Sequence, residues 1–103
     1  MNKYQNITED QLDLMHIIEF NSNASQRQIA RKTGLSIGKV NYCLKALVDI
    51  GFIKVDNFTK SNQKINYAYI LTPKGMQEKV AITKQFIIKN KQEYDKLNSY
   101  LNT

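Results

Sequence analysis

Histidine and cysteine occur once each in these 103 residues, as His16 and Cys43, and the four glycines are scattered singly. A lone histidine with no serine, cysteine or carboxylate at a catalytic spacing excludes the usual acid–base and nucleophilic arrangements. His16, on a predicted helix beside Glu19, reads as a surface or boundary residue. No histidine, cysteine and carboxylate group has metal-ligand spacing, and no glycine-rich loop cradles a phosphate. The chain is therefore expected to be no enzyme and to hold no metal or cofactor. One cysteine closes no internal disulfide, so nothing calls for an oxidising compartment. No apolar run approaches the ~20 residues of a membrane-spanning helix. The opening MNKYQNITED lacks the apolar segment of a secretory signal, and a cytoplasmic location is expected.

What is present is concentrated in SQRQIARKTGLSIGKVNYCLKALVDIGFIK, residues 25 to 54. Ser25 followed by Gln28 fits a capping box, in which the Ser oxygen accepts an orphan backbone N–H and the Gln reaches back to the cap. Gly34 sits where a helix ends in the left-handed conformation. Ser36 then caps a second helix that runs to Ile50 and is stopped by Gly51. Two capped helices so closely joined form a helix-turn-helix.

At 100° per residue, Val40, Cys43, Leu44 and Leu47 share one face of the second helix, and Gly38, Asn41, Tyr42 and Lys45 fall largely on the other. The first face predicts a docked core side, with Cys43 a small buried hydrophobe. The second predicts a surface that enters a DNA major groove, where Asn pairs with adenine and Lys with guanine or phosphate. An ordinary solvated helix face would look similar, and charge is what separates the two.

The net charge of +6 is unevenly spread. Residues 1–24 hold Lys3 against Glu9, Asp10, Asp13 and Glu19, a net −3. Residues 25–64 hold Arg27, Arg31, Lys32, Lys39, Lys45, Lys54, Lys60 and Lys64 against Asp49 and Asp56, a net +6. The positive field centres on the helix-turn-helix and supplies the salt-dependent part of nucleic-acid affinity.

The remaining chain frames that segment. Thr8 and Gln11 offer another capping box, opening a helix to about Phe20 with Leu14, Met15, Ile17 and Ile18 on its apolar face. After Gly51, the stretches Phe52 to Phe58 and Ile65 to Leu71 are rich in β-branched and aromatic residues, with Ile65, Tyr67, Tyr69 and Leu71 at spacing two. Between them TKSNQK predicts a polar, basic loop whose Lys60, Asn62 and Lys64 reach phosphates or a minor groove. The six Tyr and four Phe suit base stacking on single strands as well. Tyr67, Tyr69, Phe52 and Phe58 lie on strands that need a core, which favours packing.

Thr72 and Pro73 mark a last helix, since Pro is favoured at the first helical position. A helix from there to Leu101 would extend ~43 Å, more than so small a domain covers. Met76, Val80, Thr83, Ile87, Asn90, Tyr94, Leu97 and Leu101 alternate steps of four and three, the seam of a coiled coil, with Ile82 and Phe86 widening it toward the core. Homodimerisation through this seam is expected, with Asn90 as a polar residue that fixes register. The other option is a helix folded back on its own domain.

The runs SIGKVNYCLKALVDIGFIKV and YAYILTPKG, with SQRQIARKTGLS and the long terminal helix, resemble the small MarR-type winged-helix regulators associated with bacterial exopolysaccharide clusters. The resemblance spans about Leu12 to Tyr100. It implies a cytoplasmic, dimeric, DNA-binding transcriptional regulator of polysaccharide-biosynthesis genes. Typical members are longer and frame a phenolic-ligand pocket with both termini; here seven residues precede Thr8, so ligand response is not carried over.

The expected architecture is mainly α with a small β-hairpin. Residues 1–71 form a winged helix-turn-helix, with a three-helix core and two-stranded wing, and residues 72–103 form a dimerisation helix packed on it. The expected partner is double-stranded DNA. Arg27, Ser36, Gly38, Lys39, Asn41, Tyr42 and Lys45, with Lys60, Asn62 and Lys64, are the expected contacts. The rival reading is a winged-helix module that binds protein, because function lives in the site and not in the fold. Retention of the basic face favours DNA, and a single-stranded or RNA-binding variant suits an exposed helix face less well.

Overall fold

The computed structural model describes residues 7–21, 24–61 and 64–102. Helices α1 (Glu9–Phe20), α2 (Gln26–Thr33) and α3 (Ile37–Asp49) are followed by strands β1 (Ile53–Ser61) and β2 (Lys64–Leu71). Helix α4 (Pro73–Ser99) and a short 3-10 turn (Tyr100–Asn102) complete the chain. Among the described residues, no helix is long and apolar enough to cross a membrane.

Local chemistry sets each helix end. Thr8 Oγ1 accepts from the Gln11 amide at 3.1 Å while Gln11 Oε1 accepts from the Thr8 amide at 3.0 Å. Ser25 and Gln28 repeat the exchange at 3.1 and 2.8 Å. Each box satisfies donors that a helix start leaves without intrahelical partners. Gly34 (φ 77°) and Gly51 (φ 81°) take the left-handed conformation that closes α2 and follows α3. Ser36 Oγ accepts from the Lys39 amide at 3.1 Å and starts α3.

The core gathers Leu14, Met15 and Ile18 of α1, Ile29 of α2, Val40, Cys43, Leu44 and Leu47 of α3, and Ile53 of β1. Each large aliphatic buried there contributes on the order of 1.5–3 kcal/mol relative to exposure. Ile17, expected on this face, is half-buried at its margin. Cys43 is buried, and burial pushes its thiol above the ordinary value, with Lys39 acting against the rise.

The strands pair antiparallel, Ile53 opposite Leu71 and Val55 opposite Tyr69. The ladder is longer than TKSNQK suggested. Thr59 pairs with Ile65 and, past a register shift, Ser61 pairs with Lys64, so most of that segment belongs to the strands. Polar composition therefore does not mark the absence of pairing, because ladder bonds are made by the backbone. The alternation is also less clean than spacing two implied, since Ala68 is fully buried out of phase with Tyr69 and Leu71.

The start of α4 is bound into the junction between α3 and β1. Thr72 Oγ1 accepts from the Gly75 amide at 2.9 Å and its hydroxyl donates to the Gly51 carbonyl at 2.7 Å. The Thr72 amide donates to the Phe52 carbonyl at 3.0 Å, and Lys74 Nζ donates to the Ile50 carbonyl at 3.2 Å. Farther along, Ile82 is 1 % exposed and Phe86 packs beside the core. Lys79 joins α4 to α1, meeting Glu19 at 2.5 Å and His16 Nδ1 at 2.8 Å. His16 is thus a boundary residue with a structural partner, and it stacks tilted on Phe20 at 4.9 Å.

Beyond Asn90, whose side chain still reaches Glu9 of α1, the helix projects from the domain, giving a molecule 66 Å long and 27 Å across. The α-helix ends at Ser99, short of Leu101, because the Tyr100 amide turns to the Leu97 carbonyl in a tighter 3-10 bond. Leu101, the last residue of the expected seam, therefore lies in the 3-10 turn and not in the α-helix.

Candidate nucleic-acid interface

The turn between α2 and α3 holds its geometry through both backbone and side-chain bonds. The Gly34 amide donates to the Ala30 carbonyl at 2.9 Å, and the Leu35 amide donates to Thr33 Oγ1 at 3.2 Å. Leu35 packs against the core and Val40 is fully buried within it, the two positions of a hydrophobic staple around the Ser36 cap. Gln26 Nε2 donates to the Ile37 carbonyl at 3.2 Å, bracing the start of α2 against the start of α3. The bond was not foreseeable from spacing, because the two residues lie on different elements.

With Val40, Cys43, Leu44 and Leu47 buried and Ala46 half-buried, the remainder of α3 faces solvent. Gly38, Lys39, Asn41 and Lys45 are exposed, and Tyr42 is 66 % exposed. Ser36 is exposed with its oxygen engaged as the cap, and Arg27 is exposed on the first turn of α2. These expected contacts share the surface formed by α2, the turn and α3. Lys39 lies about a quarter turn from the centre of the Gly38, Tyr42 and Lys45 face, on the flank of the helix. No Cβ at Gly38 would meet an atom within 4 Å, so its lack of a side chain is not demanded by packing.

Along α3 toward the base of the hairpin runs a groove of about 370 Å³, bordered by Gln26, Asn41, Lys45, Val48, Val55 and Tyr69. Lys60 and Lys64 belong to the distal ends of β1 and β2 by backbone position. Their side chains, and all of Asn62, lie outside the described residues. Ile37 is a surface residue that the binary pattern did not single out, 48 % exposed at the first position of α3. Among the described residues no group of three or more His, Cys, Asp or Glu could hold a metal ion.

Three helices, a helix-turn-helix and a two-stranded hairpin followed by a long helix define a winged helix. Residues 11–54 match the family model described as winged helix-turn-helix DNA-binding. The architecture is also that of MarR-family structures. Streptococcus pneumoniae FabT, solved in complex with DNA, superposes with a TM-score of 0.67 at 15% identity, over 91% of this chain and 64% of that one. A MarR family transcription regulator gives 0.69 at 17% identity, over 84% and 56% of the two chains. Staphylococcus aureus MarR, solved with salicylate and kanamycin, gives 0.62 at 23% identity, over 82% and 57%. The chain thus spans less than two thirds of the length of each. No curated protein matches it in sequence.

Proposed function

We propose that the chain is a sequence-specific double-stranded DNA-binding transcription regulator of the MarR type, working in the cytoplasm as a homodimer. The observation that carries this reading is the two-sided α3. Its apolar side is fully used by the core, and its other side presents Gly38, Asn41, Tyr42 and Lys45 to solvent. A helix so held places its first turns in a major groove, and the flanking cations engage phosphate. The fold shared with the FabT–DNA complex supports the same assignment.

Asn41 and Tyr42 contact base edges, and Gly38 lets the backbone approach closely. Arg27, Ser36, Lys39 and Lys45, with Lys60, Asn62 and Lys64 of the hairpin, hold the sugar–phosphate backbone. Two protomers join through the exposed stripe of α4 and present their α3 helices to half-sites about one helical turn apart on a near-palindrome. The resemblance of SIGKVNYCLKALVDIGFIKV and YAYILTPKG to exopolysaccharide-associated regulators points to polysaccharide-biosynthesis genes as targets.

Selection of bound duplexes from sheared genomic DNA by the purified chain tests the reading. Enrichment of a shared, two-fold symmetric sequence upstream of genes is expected. Recovery of no sequence above random fragments, or capture by protein partners with no duplex affinity, would refute it.

A further inference from the structure

We propose that Ile37 is a specificity-determining residue, whose exposed side chain packs on the C5 methyl of a thymine next to the base contacted by Asn41. The inference rests on the DNA-binding reading above and adds a hydrophobic element to it. In the first two turns of α3, Val40 and Cys43 are buried, and Ile37 is the aliphatic side chain left in solvent, 48 % exposed. Leu35 and Val40 already flank the Ser36 cap from the core side, so helix initiation does not need Ile37.

Position supports a reading role. Ile37 opens α3, the end of such a helix that lies deepest in the major groove. It shares a ridge with Asn41 one turn later, since residues four apart are neighbours on a helix surface. Its backbone is fixed by the Gln26 side chain on the Ile37 carbonyl, and β-branching leaves the side chain few rotamers. A rigid apolar group at that place finds one apolar feature on the unmodified base edges of the groove, the thymine methyl. Asn41 on adenine and Ile37 on a neighbouring thymine make the half-site an A·T-containing step.

The test uses the full chain and duplexes selected from a random pool by gel shift at fixed salt. Each thymine of the selected half-site is replaced in turn by deoxyuridine, which removes the methyl group and leaves base pairing intact. One thymine per half-site is expected to weaken wild-type binding about fourfold on replacement, the effect of one buried methyl. Ile37→Ala should bind the thymine and deoxyuridine duplexes alike, and Ile37→Val should retain most of the difference. The Gln26 bond is made to a backbone carbonyl, so truncating the Ile37 side chain does not remove its acceptor, and a wild-type far-ultraviolet circular dichroism spectrum checks that the alanine variant is folded. If no thymine is sensitive, or if Ile37→Ala discriminates as the wild type does, the proposal fails while DNA binding stands. If no duplex is selected at all, the DNA-binding reading fails and takes the proposal with it.

Discussion

Gly75 and the carbonyl of Phe52 approach so closely that a Cβ on residue 75 would overlap the carbonyl oxygen and press on Leu71 Cδ1. The Phe52 carbonyl also accepts from the Thr72 amide, so it cannot swing away without breaking the cap of α4. Gly75→Ala is therefore expected to destabilise the fold by about 1–3 kcal/mol, the usual cost of overpacking. Urea denaturation followed by circular dichroism measures it. A loss below a few tenths of a kcal/mol would show that the junction yields easily.

Gly38 offers the opposite case, since open space surrounds the position a Cβ would take. Gly38→Ala should leave the fold intact and stabilise α3 by up to about 1 kcal/mol, because alanine loses less backbone entropy in a helix. If Gly38 serves close approach to DNA, the same variant binds operator more weakly. A gain in melting temperature with unchanged affinity would remove Gly38 from the interface.

If Asn41 reads a base edge and Lys45 a phosphate, their substitutions separate specificity from affinity. Asn41→Ala should cost about 1–3 kcal/mol on the selected sequence and little on random duplex. Lys45→Ala should weaken both alike and reduce the slope of log affinity against log salt by about 0.9 if it neutralises one phosphate. Fluorescence anisotropy titrations at several salt concentrations distinguish these patterns. Equal losses on specific and random DNA for both variants would overturn the division of labour.

The features legible in the sequence are those fixed locally. Capping boxes at Thr8 and Ser25 and the left-handed turn at Gly34 depend on residues within four positions, and each stands where spacing put it. The inward face of α3 was equally plain, because helical periodicity alone groups Val40, Cys43, Leu44 and Leu47. Tertiary relations were not visible. Gly75 lies in the first turn of a helix, and only the path of the α3–β1 junction at Phe52 explains why no side chain fits. Lys79 looks like one more solvated charge until α1 brings Glu19 and His16 to it. Ile37 counts as hydrophobic in any binary pattern, and only the docking of α3 decides that it faces out. Polar composition hid the extension of the hairpin, since an edge ladder tolerates polar residues on backbone bonds alone.

Asp13 holds its carboxyl above the ordinary value, through partial desolvation first and then repulsion from Glu9 and Asp10, with His16 acting in the other direction. A raised carboxyl means that the folded state binds the proton more readily than the unfolded chain. Its contribution to stability is present at low pH and is lost as pH rises through the folded titration. Asp13→Asn should thus raise the melting temperature near pH 7, and the advantage should vanish near pH 3, where the aspartate is protonated in both states. A constant difference at both pH values would assign the effect to something other than charge.

Helix α4 presents one side to its own domain and another to solvent. Gly75, Lys79, Ile82 and Phe86 face their own domain, whereas Met76, Val80, Ile87 and Tyr94 lie a quarter turn or more round and stay exposed, and Leu97 is exposed farther along the helix. Ile87 is 61 % and Leu97 53 % exposed, although both sit on one apolar stripe. Asn90, on the same stripe, donates from Nδ2 to Glu9 Oε1 at 3.3 Å, which places it at the border between the two sides. Deleting the whole helix would strip Ile82 and the Thr72 cap from the core, so substitution on the exposed stripe is the cleaner probe. The wild-type chain is expected to sediment as a dimer and the Ile87→Glu/Leu97→Glu variant as a monomer with unchanged far-ultraviolet circular dichroism. The monomer should bind a two-half-site operator at least ~10-fold more weakly, because the second half-site no longer gains from effective concentration. A variant that still sediments as a dimer would move the interface off this stripe, and a monomeric wild type would remove it altogether.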